Sequence, residues 1–139
     1  MRVFLDTWVL VERYKRNADA AKLLKLAKTG LEEHICHVTV AELVNVISRE
    51  FGEREARIQY AFLRHSGLVL NGTNEEIARN AGLFKTKYKF SLADAFVLAS
   101  AIACDADVLV TGGDMQYDRE WKQVNEIKVV KLDDFVETI

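Results

Sequence analysis

Short apolar runs alternate along the chain with longer stretches in which apolar side chains recur every three or four residues. The runs Val3–Leu5, Ile35–Val38, Leu68–Leu70, Val108–Val110 and Ile127–Val130 have the length and unbroken apolarity of buried strands. Between them, Ala20, Leu23, Leu24 and Ala27 mark one helix face, Val40, Leu43, Val44 and Ile47 a second, and Ile77, Ala81, Phe84 and Tyr88 a third. A further helix is expected around Ile58, Ala61 and Phe62. The stretch Leu92–Ala103 is apolar almost all round except at Asp94, which predicts a helix enclosed on every side. Alternation of this kind predicts a three-layer α/β architecture, a parallel sheet with helices on both faces. Ligand sites in such sheets lie beyond the carboxyl ends of the strands. That edge is where chemistry is expected.

Composition narrows the class without naming an activity. A chain of 139 residues, half of them apolar, fits one domain spanning 1–139 with a core that needs no disulfides. The cysteines Cys36 and Cys104 lie in apolar contexts that suit two buried thiols better than a bridge or a metal pair. No apolar run approaches the ~20 residues of a membrane span. Met1-Arg2-Val3-Phe4-Leu5-Asp6 reaches an acid too early for a secretory signal, so a cytoplasmic protein away from membranes is expected. The net charge of −2 argues against a general, strongly basic nucleic-acid binder. It leaves room for an acidic site that draws its positive charge from bound ions.

Four carboxylates stand where strands give way to helices. Asp6 ends the first strand and is followed by Thr7; Glu42 closes Thr39-Val40-Ala41-Glu42; Asp94 closes Ser91-Leu92-Ala93-Asp94; Asp114 closes Thr111-Gly112-Gly113-Asp114. Each has a helix-capping explanation. Asp6 is a natural N-cap, and the hydroxyl three residues before each other acid resembles a capping box. Thr73-Asn74-Glu75-Glu76 has the same spacing and no catalytic role is assigned to it, so spacing alone says little. Two features go beyond capping. Asp94 enters a helix expected to be buried, where a carboxylate is costly unless something pairs with it. Helix starts that follow parallel strands also cluster at one edge, where Asp6, Glu42 and Asp114 meet and the Asp94 helix can face them. Clustered carboxylates repel, and shared protons or divalent cations relieve them; all-oxygen ligands favour Mg²⁺ or Mn²⁺ over zinc. No Cys/His spacing supports zinc, and His34, His37 and His65 are expected as surface or strand-end residues.

Taken together, Val3-Phe4-Leu5-Asp6-Thr7, Val38-Thr39-Val40-Ala41-Glu42-Leu43, Ser91-Leu92-Ala93-Asp94-Ala95 and Asp107-Val108-Leu109-Val110-Thr111-Gly112-Gly113-Asp114 with Tyr117 resemble the PIN-domain family, in particular its small VapC-type toxins. The resemblance implies a five-stranded parallel sheet in the order 3-2-1-4-5. It implies one or two Mg²⁺ or Mn²⁺ ions held by Asp6, Glu42, Asp94 and Asp114, with Thr7 and Thr111 as neighbouring hydroxyls. The activity it implies is endoribonuclease cleavage of RNA leaving a 5′-phosphate, with an antitoxin protein as partner and a homodimer as the assembly. Two departures stand out. The last motif carries two glycines between Thr111 and Asp114, which makes Asp118 a reserve for the fourth acid, and Trp8 replaces a small or polar residue and narrows the mouth of the pocket.

Substrate contacts are expected from basic residues near the rim, with Arg13, Lys15, Arg16, Lys85, Lys87, Lys89, Arg119 and Lys122 as candidates. The run Lys85-Thr86-Lys87-Tyr88-Lys89-Phe90 reads in two ways, as a phosphate-and-base contact or as a solvated helix end with Tyr88 and Phe90 turned inward. Other phosphate-handling α/β enzymes fit less well. Haloacid-dehalogenase-like phosphatases need a second Asp where Trp8 stands, and receiver domains need paired acids after the first strand. The alternative of a different class is a catalytically silent RNA- or protein-binding module of the same fold. A complete acid set argues against it, because a scaffold has no need to hold four carboxylates together.

Overall fold

The computed structural model describes residues 1–15, 18, 19, 21 and 30–138, with the backbone alone at Asp114. The expected helix face of Ala20, Leu23, Leu24 and Ala27, and the rim candidate Arg16, lie outside the described residues. Five strands form one parallel sheet: β1 (Arg2–Leu5), β2 (Glu32–Cys36), β3 (Val69–Asn71), β4 (Val108–Thr111) and β5 (Val129–Lys131), in the order β3-β2-β1-β4-β5. Every pairing is parallel, with Val3 opposite both Glu33 and Val108, and Leu109 opposite Val129. The sheet and its order are those the resemblance implies.

Alternation along the central strands feeds two cores. Val3 and Leu5 of β1 and Val108 and Val110 of β4 point to one face, Phe4 and Leu109 to the other. The first face packs against α1 (Thr7–Tyr14), α2 (His37–Phe51), α3 (Glu53–Arg64) and α7 (Leu132–Thr138) through Val9, Leu43, Ile47, Ala56, Leu63 and Phe135. The second packs against α4 (Glu75–Tyr88), α5 (Leu92–Ala103) and the π-helical turn Tyr117–Trp121, which follows the short α6 (Asp114–Gln116). Both faces of the sheet are therefore covered, as an all-parallel sheet requires.

Several local expectations shift. The second strand starts at Glu32 rather than Ile35 and stops at Cys36, so Val38 belongs to α2. His34 is not a surface residue: it is buried in mid-strand, with Glu32 on one ring nitrogen and Asn71 on the other. In α3, Ile58, Ala61 and Phe62 face outward, and Ala56 and Leu63 supply the buried side. Cys36 and Cys104 are both free thiols, the first buried and the second half-buried. Among the described residues no helix is long and apolar enough to cross a membrane.

Candidate active site

The end of β1 sets the site. Asp6 has extended backbone geometry and caps α1, its Oδ1 accepting the Val9 amide at 3.2 Å. Capping uses one oxygen only. The residue is fully buried, and its Oδ2 has no hydrogen-bond partner among the described residues. Burial raises the Asp6 carboxyl to about 7; the amides of Val9, Gly112 and Trp8 pull the other way, and the charge of Glu42 adds to the rise. Thr7, the first residue of α1, donates its hydroxyl to Glu42 Oε1.

Glu42 reaches this partner because α2 begins directly after β2. The helix starts at His37 with Cys36 as its cap, so Thr39 is an interior helical residue and not the cap the spacing suggests. Thr39 is fully buried, and its hydroxyl lies 3.4 Å from that of Thr7. Glu42 is thus released from reaching back to the helix start and turns toward α1. At α5 the capping expectation holds, since Ser91 Oγ accepts the Asp94 amide at 3.1 Å. The Asp94 side chain is free to face the acids. Its carboxyl is raised to about 8, first by burial, then by a shared hydrogen bond with Glu120 and the charges of Glu120 and Asp6; Ser91 offsets part of this.

A cleft of about 330 Å³ opens over these groups, lined by Thr7, Trp8, Val11, Glu42, Val46, Ser91, Asp94, Gln116 and Glu120 together with Lys15, Arg49, Glu50 and Arg119. The cleft lining brings together Thr7, Glu42, Asp94, Lys15 and Arg119; Asp6 is buried outside that lining and interacts with Glu42 and Asp94 through charge. Thr111 is buried at the end of β4, 3.5 Å from the Val130 carbonyl, and does not line the cleft. Asp118 is exposed and outside the lining. Asp114 opens α6, and its side chain lies outside what is described.

Lys85, Lys87 and Lys89 also lie outside the cleft lining. Lys85 Nζ donates to the Phe90 carbonyl at 3.0 Å, Lys87 pairs with Glu126 at 3.3 Å, and Lys89 ends α4 in the left-handed region. Tyr88 and Phe90 are buried, as a solvated helix end with inward aromatics requires. Arg13 pairs with the buried Glu33, and Lys122 is an exposed residue just after the π turn.

Six cleft residues escaped the sequence reading: Val11, Val46, Arg49, Glu50, Gln116 and Glu120. Arg49 falls about two turns beyond Glu42 on α2, a same-face relation that was available in the sequence. Gln116 and Glu120 depend on the π turn, in which the Lys122 amide bonds the Tyr117 carbonyl at 2.8 Å. Such turns recur at functional sites and carry no residue signature.

The two departures noted in the motifs prove to be one feature. A Cβ placed on Gly112 would lie 2.4 Å from the Trp8 Cβ, so the tryptophan is packed directly onto the glycine backbone. The second glycine, Gly113, has open space around it.

A family model for the PIN domain matches residues 3–133. The chain belongs to the PIN domain family. Solved structures similar to this PIN domain include VapBC2 from Rickettsia felis bound to a DNA fragment from their promoter (TM-score 0.73, 18% identity, 94% of this chain and 98% of that one). DNA-bound VapBC from Salmonella typhimurium is similar over 95% of this chain and 98% of that one (TM-score 0.74, 14% identity). So is VapC20 of Mycobacterium tuberculosis, a sarcin-ricin loop cleaving toxin, over 77% and 86% (TM-score 0.62, 14% identity). No curated protein matches the sequence.

Among the described residues no three metal-ligating side chains are grouped closely enough to hold one ion. The acids meet instead as interacting pairs: Asp6 with Glu42, Asp6 with Asp94, and Asp94 with Glu120. The donor chemistry of this PIN domain nevertheless suits a divalent cation. Asp6 Oδ2, Gln116 Oε1 and Glu120 Oε2 are buried acceptor oxygens without a partner among the described residues. A buried acceptor lacking a donor is costly, and a hard cation satisfies such oxygens.

Proposed function

We propose that this PIN domain is a Mg²⁺- or Mn²⁺-dependent endoribonuclease that hydrolyses RNA phosphodiester bonds, serving as the toxin of a toxin–antitoxin pair. The observation that carries the reading is the set of unpartnered acceptor oxygens on Asp6, Gln116 and Glu120, beside carboxyls that keep protons up to about pH 7 and 8. Acceptor oxygens left over at carboxyls that resist ionisation favour a divalent cation among them. Asp6 and Asp94 are its principal ligands, and Glu42 and Asp114 complete the set directly or through water. Glu120 takes the reserve place that the sequence reading gave to Asp118. When bound, one or two ions supply an activated water and neutralise the charge that builds on the phosphate.

The chain's own residues do the rest. Thr7, by donating to Glu42, fixes the direction of that carboxylate. Asp94, in the cleft lining, is placed to take the proton of the attacking water on its carboxylate. Lys15, Arg49 and Arg119 in the cleft lining hold the phosphates flanking the scissile bond. An antitoxin partner is supported by the likeness to VapBC complexes and by a second, apolar cleft of about 240 Å³. That cleft is lined by residues including Leu10, Leu43, Ile47, Leu63 and the largely exposed Phe62.

The test compares wild type with Asp94→Asn on single-stranded and transfer-like RNA in Mn²⁺. Cleavage that stops with EDTA and is lost in the variant is the expected result. Equal cleavage by both proteins removes Asp94 from the chemistry and overturns the mechanism. RNA binding without cleavage in any divalent ion makes the chain a binding module.

A further inference from the structure

Trp8 is out of place as a structural residue. It is the second residue of α1, one of the largest side chains in the protein, and 47% exposed. Its neighbours Val9, Leu10 and Val11 are all buried, so the helix had apolar positions in which an indole could be enclosed. Instead the ring stands in the lining of the acidic cleft with Asp94, Arg49 and Arg119. The base of the Trp8 side chain is fixed by packing. Its Cβ rests against the Gly112 backbone so closely that no other residue type fits at Gly112 without displacement. The close packing of Gly112 on the start of α1 thus fixes where the half-exposed Trp8 side chain leaves the helix, beside the carboxylates.

We infer that Trp8 is a stacking platform for one unpaired base of the nucleic acid, next to the phosphate that reaches Asp94. An aromatic face flanked by cations is the arrangement that binds single strands, the ring meeting the base and the guanidinium groups meeting the backbone. The apolar cleft that suits a protein partner is lined by other residues and does not include Trp8. A base paired within a duplex offers no free face to an indole, so the substrate class is single-stranded RNA or a nucleotide turned out of a loop. This inference rests on the nuclease reading and adds to it the residue that meets the base.

Fluorescence separates the two. The protein has two tryptophans, and Trp121 is fully buried, so a change in emission caused by a stacked base arises from Trp8. The Asp94→Asn protein in Mn²⁺ is titrated with an uncleaved hexaribonucleotide, with the same strand in a duplex, and with versions carrying one abasic position. Saturable quenching by the single strand is expected, none by the duplex, and loss of quenching at one abasic position only. Trp8→Ala in the same background should bind roughly 5- to 100-fold more weakly, the worth of one base–aromatic stack. Trp8→Phe should recover most of that affinity, and thermal melting checks that both variants fold. RNA that binds without quenching, or binds Trp8→Ala as tightly as its parent, overturns the platform and leaves the nuclease reading standing. Absence of RNA binding by every variant, with Mn²⁺ bound, overturns both.

Discussion

Single side chains in this molecule divide into those whose position follows from type and those whose position follows from contact. Asp6 belongs to the first group: an acid directly after an apolar strand is a cap or a ligand, and here the cap occupies Oδ1 and leaves Oδ2 over. Glu120 belongs to the second. Its neighbour Asp118 is as acidic and as near to Asp114 in sequence, yet it faces solvent, because the π turn decides which side chains reach the cleft. Gly112 and Gly113 make the same point as an experiment. Gly112→Ala forces Trp8 Cβ or the end of β4 to move, and no rotamer change relieves a clash with a Cβ. Destabilisation of roughly 1–3 kcal/mol is expected, with a matching loss of RNA cleavage, since the Gly112 amide also faces Asp6. Gly113→Ala meets nothing and should stay within about 0.5 kcal/mol of wild type. Equal behaviour of the two variants in thermal melting would refute the proposed seat for Trp8. Thr7→Val removes the hydroxyl that Glu42 accepts. It should lower kcat/KM roughly tenfold or more with little change in Tm, and an unchanged kcat/KM would remove Thr7 from the site.

At the scale of elements, the alternation of strands and helices was legible because both periods are set by apolar side chains, which report burial directly. Helix starts were less so. A hydroxyl three residues before an acid marks a true cap at Ser91; at Thr39 the helix had begun two residues earlier, and before Glu76 the cap is Asn74. The spacing fails at Thr39 because β2 passes into α2 with no loop between Cys36 and His37 to mark the start. Two of the working caps allow a comparison. Asn74 Oδ1 accepts the Ile77 amide at 2.9 Å, and neither residue lines the cleft, so Asn74→Ala should cost about 1 kcal/mol and spare cleavage. Ser91→Ala removes a bond of the same kind, but the amide it leaves unpaired is that of Asp94. A similar loss of stability is expected there together with lower activity. Were both variants to lose stability and keep full activity, the start of α5 would not be what positions Asp94.

For the molecule as a whole, the buried acids tie stability to pH in an unusual direction. A carboxyl raised on folding binds its proton more tightly in the folded state than in the unfolded chain. Asp6 rises from 3.8 to about 7 and Asp94 from 3.8 to about 8. Between about pH 4 and pH 8 the folded protein therefore carries protons that the unfolded chain has lost. Unfolding releases them, and the metal-free protein should become less stable as pH rises through this window, where a salt-bridged carboxylate would have the opposite effect. Melting in EDTA should show Tm falling by more than about 5 °C from pH 5 to pH 8. Asp6→Asn, which keeps the shape and cannot ionise, should flatten much of the slope and melt above wild type at pH 8. Mn²⁺ takes the ionised acids, so its stabilising effect should be small at pH 5 and grow toward pH 8, cancelling the fall seen without metal. A metal-free Tm that is level or rising over the window would mean that water or rearrangement already relieves Asp6 and Asp94. The cation would then lose its physical rationale, because the strain that makes these carboxyls hold protons is the same strain that a divalent ion is proposed to relieve.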